Sequence, residues 1–437
     1  MNALIPIHPQ QVKGPFAVLD IGSSKLACLI IEQAADGSLT VLSHAMHASA
    51  GIQRGEISDL AEFSATLGKV VEAAERKASL TIKDLHIVMP GGRIASQISR
   101  HQLELADSLV GARDIRRLLT KQFQSPLPEG RALIQTEELG YMIDGHHPVR
   151  NPKGMRASHL SVDITSLTID SSAYLNVSEA AEHNHLSLGR LGNAAAASGL
   201  SCLTEEERDL GALILDMGGG TTSAALFLHG GIIGLVSVPL GGIQITRDIA
   251  NILSLSLSDA ERLKAMEGSV TPSHGEALGD ILAPPPFAAR GDNFVPASAP
   301  FQMQDLQLSN GEVISRQFLA DVIRPRIEEI LDLIQKRLEA GGLANHISKR
   351  VVLTGGASQL TGMADFVSQY WQRHASLAHP IQVSGLDDTT SGPAYAAPIG
   401  MALQLMKIAD TPHQSYHPAS LSRSPFGRLG LWLRTHL

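Results

Sequence analysis

An α/β fold of two related domains around a cleft is predicted by three features of the 437-residue sequence. Twice, a short apolar run ends in an acid and a turn of small residues: Phe16-Ala-Val-Leu-Asp-Ile-Gly-Ser-Ser-Lys25 and Ala212-Leu-Ile-Leu-Asp-Met-Gly-Gly-Gly-Thr-Thr222. Each turn leads into another apolar stretch, the pattern of two strands joined by a sharp turn. Helical periodicity then follows each strand pair, which suits mixed sheets flanked by helices. A chain of this length buries a large core and divides into two or more domains.

In order along the chain, residues 16–31 read as two strands around the first turn and 38–43 as a third. Residues 59–78 read as a helix with Leu60, Phe63, Leu67, Val70 and Val71 on its apolar face. Residues 85–89 form a strand closed by Pro90-Gly-Gly92. A helix over 111–123, a strand over 132–135, a glycine- and proline-rich turn over 144–154 and an alternating strand over 157–169 come next. The pattern restarts at Ala212, with 231–239 continuing the sheet and helices over 242–253 and 258–266. Residues 268–311 read as a polar excursion, part ordered β-segment and part mobile loop. The prolines of 283–287 and 293–300 exclude a helix or a central strand there. A long helix over 315–339, bent at Pro325, leads to a strand at 350–353, the Gly355-Gly356 turn and a closing helix over 394–407.

The net charge of −8 and the 4% aromatic content argue against nucleic acid as a partner, which calls for a basic field and stacking surfaces. Two cysteines, Cys28 and Cys202, suit a reducing compartment without disulfides. No run of eighteen apolar residues exists to span a membrane, and residues 1–9 lack the charged flank of a signal peptide. A cytoplasmic protein is expected.

Turns of this kind cradle phosphate, because successive free amides point at the anion and glycine leaves no Cβ in the way. Gly22, Ser23 and Ser24 in the first turn, and Gly218, Gly219 and Gly220 in the second, would grip one nucleotide from two sides. Thr221 or Thr222 would donate to phosphate. Asp20 and Asp216, at the two strand ends, would hold Mg²⁺ through its waters. Lys25 either reaches a phosphate or is a solvated strand residue. Either turn alone is also compatible with an ordinary strand connection; the repeated order of acid, glycine and hydroxyl favours the paired reading. Neither turn has the Walker or dinucleotide glycine spacing. Gly355, Gly356 and Ala357 allow a flat group close to the backbone. Glu261 and Lys264, three apart on one helix, point one way, as polar contacts or as an exposed pair.

These motifs resemble those of the actin, heat-shock-70 and sugar-kinase superfamily, and within it the bacterial cell-division FtsA family. Residues 18–25 and 215–222 are similar to its two phosphate turns, and 351–360 to its adenosine turn. Residues 203–211 and 239–250 resemble the segments flanking the second turn, and Tyr141-Met-Ile-Asp-Gly145 and Asn151-Pro-Lys-Gly-Met155 resemble its inserted subdomain. The resemblance implies an actin-like ATPase fold: core domain one at 14–83, an inserted small subdomain at 84–162, a return at 163–200, and core domain two at 201–265. It further implies an upper subdomain at 266–340 and closing elements at 341–407. It also implies ATP and Mg²⁺ as cofactors, with Asp20 and Asp216 as the catalytic pair, Glu261 and Lys264 near ribose and base, and slow hydrolysis at most. Glu205, Glu206 and Glu207 read more simply as a helix start than as catalytic acids.

Residues 408–423 read as a linker and 424–437 as a terminal helix. At 100° per residue Phe426, Leu429, Leu433 and Leu437 share one face with Trp432 at its border, and Arg423, Arg428 and Arg434 add positive charge. Such a segment lies in the interface of an anionic membrane; packing on the protein's own core is the alternative. The family resemblance implies a membrane-targeting tail, self-assembly into filaments, and recruitment of downstream division proteins at the cytoplasmic face of the septal membrane. It implies too that the FtsZ C-terminal peptide docks near Arg326, which is otherwise a partner for Asp321 or Glu329. A pilus or secretion assembly ATPase of the same superfamily is the second reading. A sugar or acyl kinase lacks a recognisable base and substrate pocket, and a heat-shock-70 chaperone needs a further domain.

Overall fold

A computed structural model of the chain describes residues 14–34, 37–91, 93–124, 127–270, 305–346, 349–386 and 392–410. Its first turn sits between β1 (Phe16–Ile21) and β2 (Lys25–Gln33), which pair antiparallel, and β3 (Leu39–Ala48) pairs antiparallel with β2. A short ribbon, β4 (Ile52–Gln53) with β5 (Glu56–Ile57), leads into α1 (Leu60–Ala78). The Asp59 carboxylate caps α1 by accepting from the Glu62 N–H, and Ser79 ends it in the left-handed region. The stripe Phe63, Leu67, Val70 and Val71 is buried against the sheet.

From α1 the chain crosses to β6 (Asp84–Met89), which lies parallel to β1. Residues 84–89, expected in the inserted subdomain, therefore belong to the first core sheet. Five consecutive buried residues in β6 are the mark of a strand covered on both faces. The insertion follows as β7 (Ala95–Leu109), α2 (Ala112–Thr120), β8 (Arg131–Ile143), β9 (His147–Val149) and β10 (Arg156–Asp170). Its antiparallel sheet has the order β7-β10-β8-β9 and a separate core of Leu103, Leu105, Leu118, Tyr141, Leu160 and Val162. No element is assigned to 95–109 from the sequence; the structure makes it a long strand with His101, Leu103 and Leu105 on its buried face.

The chain returns through α3 (Ser171–His183) to β11 (Ser187–Asn193), completing a sheet of order β11-β6-β1-β2-β3. After α4 (Ala194–Cys202) and α5 (Glu205–Leu210) comes a second sheet, opened by β12 (Ala212–Met217), β13 (Thr222–Leu228) and β14 (Gly231–Val238). Thr204 and Glu207 cap α5 reciprocally, so the acidic triplet is a helix start, and Glu207 also pairs with Arg350.

Two helices, α6 (Gly242–Ile252) and α7 (Leu257–Glu267), precede the small ribbon β15 (Asp305–Gln307) and β16 (Val313–Ser315). The long α8 (Arg316–Ala340) runs through Pro325 as one helix. Then come β17 (Arg350–Thr354), α9 (Met363–Trp371), β18 (His374–Leu377) and α10 (Ala396–Asp410), the last extending past the expected boundary at 407. The second sheet, β14-β13-β12-β17-β18, repeats the first strand for strand: two antiparallel neighbours on one side of the opening strand and two parallel on the other.

Between the sheets α4 packs closely on α10. A Cβ at Gly400 would collide with the Ala197 carbonyl, and one at Gly199 with the Phe227 ring. One core runs continuously from Leu19 and Phe63 to Ile214 and Phe227, so it spans both sheets. The excursion at 271–304 and the tail, with Phe426, Leu429, Trp432, Leu433 and Leu437, lie outside the described residues.

Candidate nucleotide-binding site

The two hairpin turns meet. A Cβ on Gly219 would stand 3.0 Å from Ser24 Oγ, and one on Gly220 would collide with the Ser23 side chain. The third turn closes the same cleft. Gly355 adopts φ +86°, and a Cβ there would lie 2.6 Å from both Asp216 Oδ1 and the Met217 carbonyl oxygen. The cleft is lined by Asp20, Gly22, Ser23, Ser24 and Lys25 from the first turn, by Asp216, Gly218, Gly219 and Thr221 from the second, and by Gly355 and Gly356 from the third. Its cavity is about 100 Å³.

Each turn leaves free amides. Gly22 N–H donates to the Lys25 carbonyl and Gly218 N–H to the Thr221 carbonyl, closing the loops. Among the described residues the amides of Ser23, Ser24, Gly219 and Gly220 have no hydrogen-bond partner. Unpaired amides in successive positions form an anion-binding concavity, which fits a phosphate chain. Ser23 Oγ accepts from the Gly55 N–H at 2.9 Å, fixing the turn against β5.

Asp20 and Asp216 end the two central strands. Burial, then the charge of Asp216, pushes Asp20 up to about 7, with Lys25 opposing. Burial pushes Asp216 up to about 6, opposed by the Ser198 hydroxyl, which donates to Oδ2 at 2.9 Å. Two desolvated carboxyls, the first raised further by the charge of the second, suit a cation with oxygen ligands. Among the described residues no cluster of three His, Cys, Asp or Glu exists, so Mg²⁺ would depend on these two together with water and phosphate oxygens.

Five expected contacts, Gly220, Thr222, Glu261, Lys264 and Ala357, are not among the residues that line this cavity. Thr222 is buried, and its hydroxyl donates to the Leu240 carbonyl at 2.9 Å, because strand alternation turns it away from Thr221. Lys264 Nζ donates to the Gly242 carbonyl at 2.9 Å, to Thr246 Oγ1 at 2.8 Å and to Glu261 Oε2 at 2.7 Å. Glu261 and Lys264 therefore brace α7 on α6, beside Ala357 of the third turn. Ser198, Pro90, Pro393 and Ala394, which also touch the site, are not legible as site residues in the sequence. The small-residue run Gly392-Pro-Ala-Tyr-Ala-Ala397 is the one available signal. Away from the cleft, Arg326 is engaged in a bidentate pair with Asp248, Nε to Oδ2 at 2.7 Å and Nη2 to Oδ1 at 2.9 Å, and it also pairs with Glu329.

The family model for cell division protein FtsA matches residues 213–400, and that for the SHS2 domain inserted in FtsA matches 91–168. The cell division protein FtsA of Rhizobium meliloti is 32% identical over 96% of this chain and 94% of its own length. That of Escherichia coli K12 is 27% identical over 88% of each. Among solved structures, a PilM–PilN type IV pilus biogenesis complex shares the fold at TM-score 0.59 and 17% identity, over 91% of this chain and 99% of the other. MreB5 of Spiroplasma citri bound to ADP does so at TM-score 0.54 and 14% identity, over 91% and 98%. Two sheets of repeated topology around a cleft, with the inserted subdomain after β6, make this an actin-like fold. With a third of its residues shared along almost its full length, the chain belongs to the FtsA family of cell division proteins.

Proposed function

We propose that the chain is an ATP-binding division protein that assembles into filaments and tethers FtsZ filaments to the cytoplasmic face of the septal membrane, where it recruits later division proteins. The observation that carries this reading is the meeting of two free-amide turns, each beside a buried aspartate, across one cleft. The amides of Ser23, Ser24, Gly219 and Gly220 would bind the phosphates, Asp20 and Asp216 would hold Mg²⁺, and the Gly355-Gly356 turn would face the adenosine. Bound Mg²⁺ would supply charge neutralisation to the phosphates. ATP would act here as a conformational switch rather than a fast hydrolytic substrate.

The tail at 424–437 supplies the membrane arm. One short helix anchors weakly, and many tails on one filament anchor firmly. The family resemblance is what places an FtsZ peptide near Arg326; its guanidinium is already paired with Asp248 and Glu329, so a docking peptide would have to share or displace those carboxylates. The pilus-assembly reading shares the fold alone.

The test is co-sedimentation of the chain with anionic liposomes, with and without 424–437, in the presence of Mg²⁺-ATP and FtsZ. Loss of lipid binding and FtsZ recruitment on truncation is expected. Full membrane recruitment without the tail would overturn the reading.

A further inference from the structure

Lys25 is held by a ring rather than by an acid. Its Nζ stands 4.4 Å from the centroid of Tyr395 and donates to Met46 Sδ at 3.6 Å. The Tyr395 hydroxyl reaches the same sulfur at 2.7 Å. Tyr395 is only 3% exposed and directly follows Pro393 and Ala394, both of which line the cleft. The Pro393 carbonyl accepts from the Gly355 N–H at 3.3 Å and from the Thr354 hydroxyl at 3.2 Å. One short segment thus joins the third turn to the lysine of the first.

The choice of partners matters electrostatically. Burial lowers the pKa of Lys25, and the charge of Asp20 opposes that fall without an ion pair forming between them. A carboxylate in contact with Nζ would hold it equally well, yet it would cancel the charge and repel a phosphate. An aromatic face offers negative potential with no formal charge, and a thioether is a weak acceptor. Ring and sulfur therefore fix the ammonium and leave its net positive charge available to an anion.

We infer that Tyr395 is a positioning residue for nucleotide binding: its ring, with Met46 beside it, presents Lys25 to the phosphate chain of a nucleoside polyphosphate. This rests on the ATP-binding reading above and extends it to a residue outside the three turns. Because Tyr395 acts through the cation, its effect scales with ligand charge. It strengthens binding of a triphosphate and leaves an uncharged nucleoside unaffected.

The experiment is calorimetric titration of the full chain with Mg²⁺-ATP and, separately, with adenosine. Tyr395→Phe keeps the ring and should hold Mg²⁺-ATP affinity within about twofold, whereas Tyr395→Leu should weaken it by about three- to tenfold and leave adenosine unchanged. In a Lys25→Met background Tyr395→Leu should have no further effect. Should the leucine variant fold poorly, fluorinated phenylalanines at 395 remove the ring's negative potential at nearly constant shape, and Mg²⁺-ATP affinity should fall stepwise with fluorination. Equal losses for ATP and adenosine, an unchanged affinity on fluorination, or the same loss without Lys25 would overturn the inference. A wild-type chain that binds neither ligand would instead remove the ATP reading itself, and the inference with it.

Discussion

Glu137 of the inserted subdomain accepts a hydrogen bond from the backbone N–H of Ile232, at 3.0 Å, across the boundary to the second core sheet. Ile232 lies on β14, the edge of that sheet, where unpaired backbone groups would otherwise face outward. Thr165 Oγ1 donates to the Ile232 carbonyl at 2.5 Å, and the Leu235 N–H donates to Ser96 Oγ at 2.9 Å. Burial lowers the pKa of Arg190 and Arg208, on the first and second core domains, and the charge of Glu137 acts to raise both. The insertion is therefore joined to the edge of the second sheet by three hydrogen bonds, one of them from this carboxylate.

Glu137→Ala should destabilise the protein by about 1–3 kcal/mol, because it strands the Ile232 N–H. Urea denaturation measures the loss. Hydrogen exchange should quicken at Ile232 and stay unchanged at Leu235, which Ser96 holds independently. Unchanged exchange at Ile232 would show that the insertion does not secure the edge strand.

Asp20 should make the nucleotide-free protein sensitive to alkali. Its pKa is raised from 3.8 to about 7 by burial and by Asp216, so the folded state binds the extra proton. The associated stability is fully present below pH 3.8 and is lost as pH rises through 7. Asp20→Asn should therefore melt higher than wild type at pH 8 without nucleotide, by roughly a few degrees. The same variant should lose most of the stabilisation that Mg²⁺-ATP confers on wild type. Differential scanning fluorimetry across pH reads both effects, and a lower melting temperature at pH 8 would contradict the first.

His86 carries the opposite sign. Burial, then the charge of Arg190, lowers its pKa from 6.5 to about 4, and Nδ1 accepts from the Arg190 N–H at 3.0 Å. Its contribution is fully present above pH 6.5 and is lost as pH falls through 4, on the order of 3 kcal/mol in all. His86→Asn keeps an acceptor near Nδ1 and should flatten the acid limb between these values. An acid limb as steep as that of wild type in denaturant titrations at pH 4 to 6.5 would exclude His86 as its cause.

Gly355→Ala should cost about 1–3 kcal/mol from the left-handed backbone and the contact with Asp216, and should abolish nucleotide binding. At Gly356 a Cβ meets open space within 4 Å, so Gly356→Ala should be tolerated by the fold. Equal melting temperatures for the two variants would show that the close approach of the third turn to Asp216 is not rigid.

Legibility followed the length scale of each signal. The helix at α1 and the two hairpins are readable because apolar periodicity and turn composition are local. β7 was not, since its polar and apolar residues do not alternate regularly and the strand is stabilised by pairing along β10. The start of the insertion is not legible in the sequence for a related reason: whether β6 pairs with β1 or with the next strands is a choice between distant partners. At the site, acids and glycines announced themselves through composition and order. Ser198, Pro393 and Tyr395 did not, because ordinary residues acquire a role only by what they face.

The sequence by itself determined that two strand–turn–strand units with terminal aspartates recur in one chain, and hence that two related domains exist. That information lies in short windows where backbone freedom and side-chain polarity are set residue by residue. Only the tertiary structure decided that the turns touch, that Thr222 and Lys264 are committed elsewhere, and that a tyrosine holds the cleft's lysine. Those outcomes depend on packing between segments hundreds of residues apart, where a few tenths of an ångström between close-packed groups select one partner over another.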